Sequence, residues 1–119
     1  MSQQNLVIYH NPRCSKSRET LQIIQSHDIE PTIIEYLDEP PDATELKRII
    51  GLLGVEARDL MRTTESVYRD ADLDDDSLSE DEIIEAICEY PELLQRPIVI
   101  AGDRAVIGRP PERVKELFA

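Results

Sequence analysis

The stretch LVIYHNPRCSKSRETL, residues 6–21, decides the fold because it predicts a strand, a tight turn and a helix in direct succession. Residues 5–9 are apolar and rich in β-branched side chains, which is typical of a buried strand. The NPRC segment predicts a turn, and residues 15–28 have the apolar spacing of an amphipathic helix. Cys14 therefore lies at the junction, where the strand ends and the helix begins.

The segments that follow complete a recognisable order of elements. PTIIEY, residues 31–36, predicts a second strand and so a βαβ unit. Near the C-terminus, PIVI (97–100) and RAVIG (104–108) flank AGD, which predicts a tight hairpin. A last helix should begin near Pro111, because proline suits the first turn of a helix. A βαβ half and a ββα half can share one sheet, so we predict an α/β, thioredoxin-like fold with a four-stranded mixed sheet.

The middle of the chain, about residues 41–90, predicts a helical insertion between the two halves. One helix should start at a capping box of Asp42 and Glu45 and end at Gly54. Residues 56–62 predict a shorter helical piece.

Ser79 and Glu82 predict a further capping box, at the start of a helix whose apolar face includes Cys88. The sequence shows neither an internal repeat nor a flexible linker. Residues 1–119 are therefore predicted to form a single thioredoxin-like domain.

The composition limits the classes of function. The formal net charge of −12 opposes general binding to nucleic acid, which needs a basic surface. No apolar run approaches the length of a membrane span and the N-terminus lacks a signal-peptide pattern, so we expect a cytoplasmic protein without a membrane partner. The acidic segment 69–82 lacks the glycine of a calcium loop, and no zinc pattern is present. We therefore expect no metal and no bound cofactor.

Cys14 is the candidate nucleophile. At a helix N-terminus, free backbone N–H groups and the helix dipole stabilise a thiolate, and Arg13, Lys16 and Arg18 add positive charge. The same groups can hold an oxyanion. The pattern thus indicates a thiolate that attacks an anionic substrate.

The sequence offers no obvious second thiol for Cys14. Cys88 continues an apolar helix face, which favours packing over catalysis. Ser17 stands three residues after Cys14, where a dithiol oxidoreductase has its second cysteine. An adduct on Cys14 must be resolved by an external thiol, unless Cys88 can reach it.

The segment around Cys14 resembles the active site of the glutaredoxin-coupled arsenate reductases, especially their shorter reductase-like branch. The family pattern, H-N-P-x-C followed by S-R, is matched by His10, Asn11, Pro12, Cys14, Ser17 and Arg18. Similarity continues in EPTIIEYLDEPP, LMR (60–62), RPIVI (96–100) and IGRPP (107–111), and so covers nearly the whole chain. The chain departs from the arsenate-active members at Ser15 and Lys16, where those commonly have Gly-Thr.

The resemblance implies the thioredoxin-like fold with a helical insertion, and the reduction of arsenate to arsenite. It implies that the Cys14 thiolate attacks arsenate and forms a thiol-linked ester of pentavalent arsenic, and that His10 helps to keep the thiol ionised. Glutathione then adds as co-substrate, and glutaredoxin removes it as arsenic becomes trivalent. The implied oxyanion-binding residues are Arg62, Arg96, Arg109, Ser17 and Arg18. The Arg96–Pro97 bond would be cis and face the cysteine.

Two alternatives remain open at this point. The chain could be a non-catalytic thioredoxin-like regulator that binds a protein partner such as RNA polymerase. Regulators of that kind often carry Cys-x-x-Cys, and Ser17 counts against such a dithiol switch. The chain could also be a thiol reductase acting on another substrate, such as a glutathione mixed disulfide.

Overall fold

The computed structural model describes residues 5–95 and 97–118. The chain divides into two compact units, residues 1–39 with 96–119, and residues 40–95. Within the described residues, every helix is too short or too polar to cross a lipid bilayer. Arg96 lies outside the described residues, and so does the expected cis bond before Pro97. The cis X–Pro bond that is described joins Arg109 to Pro110.

The first unit is built on a four-stranded mixed sheet, as the sequence predicts. Its strands are β1 (Leu6–His10), β2 (Thr32–Glu35), β3 (Ile98–Ala101) and β4 (Arg104–Ile107), in the spatial order β2-β1-β3-β4. β1 runs parallel to β2 and antiparallel to β3, and β3 and β4 form the predicted hairpin. Gly102 takes a left-handed conformation in the hairpin turn, with φ of 62°, which glycine adopts without steric cost.

One face of this sheet forms the hydrophobic core with helix α1 (Ser15–Ser26) and a C-terminal 3₁₀ helix, Pro111–Leu117. The buried cluster consists of Leu6, Ile8, Ile24, Val99, Ala101, Val106, Val114 and Leu117. The last helix was expected at Pro111 and begins there, but it has the tighter 3₁₀ form. Since side chains alternate across a strand, His10 continues the row of Leu6 and Ile8 toward α1.

The second unit is helical, as predicted. It contains α2 (Ala43–Leu53), α3 (Ser66–Asp70), α4 (Glu80–Glu89) and two 3₁₀ helices, Ala57–Leu60 and Pro91–Leu93. The expected helix over 56–62 is only one 3₁₀ segment, because Met61 leaves the helix and forms a β-bridge with Leu94. α3 is not among the helices that the sequence predicts.

The predicted helix caps are present in this unit. The Asp42 side chain accepts from the Glu45 N–H at 2.8 Å, and Gly54 ends α2 in the left-handed conformation. The Glu45 side chain also pairs with the Arg48 guanidinium at 3.4 Å. At α4 both bonds form, because Ser79 accepts from the Glu82 N–H and the Glu82 side chain accepts from the Ser79 N–H.

Gly108 marks the tightest backbone approach in the first unit. Its N–H donates to the Pro97 carbonyl at 2.8 Å. An added Cβ would lie 2.6 Å from Thr20 Oγ1 and 2.8 Å from Pro97 Cγ. Only glycine therefore lets the end of β4 pass between α1 and the start of β3.

We predict that Gly108→Ala lowers the free energy of unfolding by about 1–3 kcal/mol, the usual range for overpacking. Gly51→Ala is the matched control, because nothing lies within 4 Å of its Cβ position. In the interior of α2 it should be neutral or stabilise by up to about 1 kcal/mol. Urea titrations of both variants measure the difference. An equal effect of the two substitutions would show that the space around Gly108 is not limiting.

Candidate active site

The turn between β1 and α1 is held by Asn11. The Asn11 carbonyl accepts from the Cys14 N–H at 3.0 Å, and its side-chain Oδ1 accepts from the Arg13 N–H at 3.0 Å. Cys14 follows as the N-cap of α1, with extended backbone angles. Cys14, the candidate nucleophile, thus lies where the sequence predicts it, at the N-terminus of a twelve-residue helix.

Ser17 ties the first turn of α1 to the end of β1. Its fully buried hydroxyl accepts from the Asn11 N–H at 3.0 Å and lies 2.6 Å from His10 Nδ1. We assign the Ser17 hydroxyl proton to the hydrogen bond with His10 Nδ1, which corresponds to the tautomer with its proton on Nε2. Ser17 was expected among the oxyanion-binding residues, and this role stays a prediction. In the structure its hydroxyl forms hydrogen bonds with His10 and Asn11.

His10 is a buried histidine. Burial lowers its pKa below the ordinary value, and the charge of Arg18 lowers it further, against the raising effect of Glu35. The ring is therefore neutral at neutral pH, with the proton on Nε2 when Ser17 donates to Nδ1. The ring contacts the first turn of α1 through Ser17, and the role of His10 in keeping the Cys14 thiol ionised stays a prediction.

Arg109 is brought to Cys14 from 95 residues away in the sequence. Its guanidinium Nη2 donates toward Cys14 Sγ at 3.8 Å. Arg109 directly follows Gly108, after the end of β4, so the tight glycine approach fixes the backbone that carries it. A guanidinium beside the sulfur favours the thiolate form and remains charged at any physiological pH.

The other cations near Cys14 in the sequence lie on an exposed surface. The side chains of Arg13, Lys16 and Arg18 are all exposed. The Arg18 guanidinium donates to the Pro12 carbonyl at 2.9 Å, which ties α1 to the turn. The oxyanion-binding role of Arg18 stays a prediction.

Arg62 and Arg96 are the two further arginines that were expected to bind the oxyanion. Arg62 belongs to residues 40–95, where its guanidinium pairs with Glu65 at 2.9 Å and its N–H donates to the Leu93 carbonyl. Arg96 lies outside the described residues. Their roles in binding an oxyanion stay predictions.

Cys88 differs from Cys14 in chemistry and in surroundings. It is half-buried in α4, and its thiol donates to the Pro41 carbonyl at 3.5 Å. Burial raises its pKa above the ordinary value, and the charges of Asp42 and Glu85 raise it further. A thiol that remains protonated is a poor nucleophile, so Cys14 is the better candidate of the two.

A cavity of about 360 Å³ lies beside the turn that carries Cys14. It is lined by His10, Asn11, Pro12, Arg13, Glu35, Leu37 and Asp38. The sequence reasoning missed Glu35, Leu37 and Asp38 as site residues. A signal was available, because all three belong to the second-strand segment EPTIIEYLDEPP. Across residues 5–95 and 97–118, no three His, Cys, Asp or Glu side chains are grouped to hold a metal ion.

Comparisons with known proteins agree on one family. Residues 9–117 match the family model described as ArsC family. The chain is 46% identical over 115 residues to the arsenate reductase of Haemophilus influenzae, covering 96% of this chain and 99% of that protein. It is 50% identical to the Escherichia coli protein titled "Uncharacterized protein YfgD", covering 92% and 93% of the two chains. The solved structure of arsenate reductase from Vibrio cholerae matches with a TM-score of 0.95 at 45% identity, covering 98% and 99%.

We predict that Cys14 alkylation follows a titration with a midpoint below about 8.5, the value for an unperturbed thiol. The Cys88→Ser background ensures that only Cys14 reacts. Arg109→Ala should raise the midpoint by at least about half a unit, because it removes the opposite charge beside the sulfur. Arg113→Ala, which removes an exposed guanidinium paired with Glu116, is the control. A midpoint unchanged by Arg109→Ala would mean that this guanidinium does not act on the thiol.

We also predict that His10 makes stability depend on pH in a defined window. The unfolded ring binds a proton near pH 6.5, and the folded ring only at lower pH. Below pH 6.5 the unfolded state therefore holds more protons, and the free energy of unfolding falls as pH decreases, by at most about 1.4 kcal/mol per pH unit. His10→Asn should reduce this slope between pH 6.5 and 5, while parent and variant have equal slopes between pH 7 and 8. Equal slopes in both windows would contradict a depressed His10 pKa.

Proposed function

The chain belongs to the ArsC family, and we propose that it reduces arsenate to arsenite with Cys14 as nucleophile, glutathione as co-substrate and glutaredoxin as the protein partner. The observation that supports this most directly is the Arg109 guanidinium, which donates toward Cys14 Sγ at the N-terminus of α1. A thiolate and an oxyanion repel each other unless fixed positive charge lies between them. Arg109 and the helix N-terminus supply that charge.

The first step forms a bond between the Cys14 sulfur and arsenic. The thiolate attacks the pentavalent arsenic atom, and one arsenate oxygen leaves as water after protonation. Negative charge spreads over the remaining oxygens as this bond forms, so donors that face them act most strongly in the transition state. The Arg109 guanidinium, which lies 3.8 Å from the sulfur, supports this step as one such donor. Arg62, Arg96 and Arg18 are the further candidates from the family resemblance.

In the second step a second thiol reacts, and arsenic is reduced. Reduction of pentavalent to trivalent arsenic takes two electrons, which come from two thiols that end as one disulfide. Arsenate and two thiols thus give arsenite, one disulfide and one water. Cys14 provides one sulfur and glutathione the other, so the step leaves a Cys14–glutathione mixed disulfide. A glutaredoxin thiol then takes the glutathione moiety by exchange and releases the Cys14 thiolate.

Two features of the chain favour an external thiol for this step. Ser17 occupies the position three residues after Cys14, and its hydroxyl is engaged by His10 and Asn11. Cys88 keeps its proton, for the reasons of burial and charge given above. Glutathione is the abundant small thiol of reducing compartments, so we place the protein in the cytoplasm.

We expect Cys14→Ser to abolish arsenate reduction and Cys88→Ser to keep most of it. The assay supplies arsenate, glutathione, glutaredoxin and an NADPH-linked readout of oxidised glutathione. Equal loss from the two substitutions would mean that Cys88 resolves the adduct. A parent protein that reduces no arsenate with all thiol partners present would refute the proposed function and leave the regulator or another thiol substrate as the better explanation.

The same assay tests the role of the Arg109 guanidinium in arsenate reduction. Arg109→Ala should lower kcat/KM by at least about tenfold, since loss of one transition-state donor commonly costs a hundred- to a thousandfold. Arg109→Lys should restore only part of the rate, because a point charge does not reproduce the planar fork. Arg113→Ala again serves as the control. Parent-like turnover of Arg109→Ala would remove the observation on which the proposal rests.

A further inference from the structure

The cavity beside Cys14 lies where two parallel strands end. β1 and β2 run parallel with His10 paired to Glu35, so their carboxyl ends meet at one edge of the sheet. Clefts outside the carboxyl ends of parallel strands are the common ligand sites of α/β folds. The volume of about 360 Å³ is within the range of small-molecule pockets. Arg13, which lines the cavity, directly precedes Cys14 in the sequence.

The walls of the cavity carry charges of both signs. The Glu35 and Asp38 carboxylates form no ion pair with any of the described residues. The Arg13 guanidinium likewise forms no ion pair there, while its backbone N–H is held by Asn11. A simple anion would be repelled by two carboxylates, and a simple cation by the guanidinium. A ligand with an ammonium and a carboxylate close together satisfies both sets of groups.

His10 contributes a polar ring nitrogen to the same wall. The ring is 5% exposed, and its described side-chain hydrogen bond engages Nδ1. Nε2 has no hydrogen-bond partner among residues 5–95 and 97–118. With Ser17 donating to Nδ1, Nε2 is a hydrogen-bond donor. An acceptor oxygen of a ligand in the cavity would satisfy it.

We propose that this cavity binds the amino-acid head group of the small thiol co-substrate, which is the γ-glutamyl end of glutathione. The ammonium of the head group lies against the carboxylates of Glu35 and Asp38. Its carboxylate accepts hydrogen bonds from Arg13 and from Nε2 of His10. The exposed Leu37 side chain packs on the two methylene groups that lead from the head group to the γ-amide. This inference rests on the proposed function, because it gives the external thiol of that mechanism a place to bind.

The arrangement separates the two substrates by charge pattern. The tetrahedral oxyanion needs positive charge alone, which Arg109 and the α1 N-terminus offer at the sulfur. The head group of the thiol needs one charge of each sign, which the cavity offers. Arsenate therefore does not compete for the cavity, because Glu35 and Asp38 repel it.

Binding of S-methylglutathione tests the proposal without any redox chemistry, since its sulfur is blocked. The full chain should bind this probe at least about tenfold more tightly than its N-acetyl derivative, which lacks the ammonium but keeps every other group. Asp38→Asn should reduce that ratio to about threefold or less, and Glu35→Gln should act in the same direction. Both Kd values can be measured by titration calorimetry or by NMR.

Asp103→Asn is the matched control, because it removes the same charge from the exposed β3–β4 turn and should leave the ratio unchanged. If the parent does not distinguish the two probes, or if Asp38→Asn and Glu35→Gln keep the parent ratio, the cavity is not the head-group site. If the ratio behaves as expected while the parent reduces no arsenate, the cavity assignment holds for a thiol ligand and the reductase proposal fails. Asp38→Asn could also bind both probes like the parent and lose activity only in the glutaredoxin-dependent step. That result would overturn the proposal and make the cavity a contact for the protein partner.

Discussion

The hydrogen bonds of one buried hydroxyl hold the reactive turn in place. Ser17 Oγ joins the Asn11 N–H to His10 Nδ1, so the last residue of β1, the turn and the first turn of α1 are connected at a single atom. Removing it would leave two buried polar groups without partners, at a cost of about 1–3 kcal/mol each. The direction in which Cys14 points depends on this connection, because its backbone is the N-cap between those elements. A cysteine at the same position would lose most of this bonding, since sulfur is a weak acceptor. The serine that prevents dithiol chemistry is thus also the residue that fixes the single thiol.

The charged groups near the reactive sulfur are opposite in sign to the net charge of the molecule. With 25 acidic and 13 basic residues, the whole chain repels anions at a distance, and salt reduces that repulsion beyond about 8–10 Å. At the reactive sulfur the balance is reversed, because Arg109 Nη2 lies 3.8 Å from Cys14 Sγ and Cys14 is the N-cap residue at the positive end of the α1 dipole. Contact interactions of this kind are screened far less than the long-range field. An acidic protein can therefore still favour a thiolate and an oxyanion together at one point.

Local patterns in the sequence predicted the elements of this fold, and they failed where distant contacts decide the outcome. Capping at Asp42, Ser79 and Gly54 is a property of a few adjacent residues, so those boundaries were confirmed. The segment 56–62 has helical composition, but the pairing of Met61 with Leu94 ends it early. Likewise the contact between Arg109 and Cys14 depends on the order β1-β3-β4, and no spacing rule encodes it. Residue patterns alone could name only the cations adjacent to Cys14 in the sequence. Arg109 was predicted from the family resemblance, which includes positions that are distant in the sequence.

In the proposed mechanism, the cavity and the glutathione thiol explain how one reactive cysteine in the chain is enough for reduction. A reductase that uses two of its own cysteines must keep them within bonding distance and then bring a third thiol to the disulfide. A chain with one reactive cysteine avoids that geometry, but it must hold a small thiol in the correct orientation at each turnover, and holding it costs entropy. Charged groups that recognise the far end of the thiol offset this cost without approaching the reacting sulfur. Arg13, Glu35 and Asp38 suit that task in the proposed mechanism, because Glu35 ends β2 and the other two lie in the turns that follow β1 and β2. In that mechanism the groups beside the strand ends recognise the thiol, and Arg109 and the helix N-terminus recognise the oxyanion.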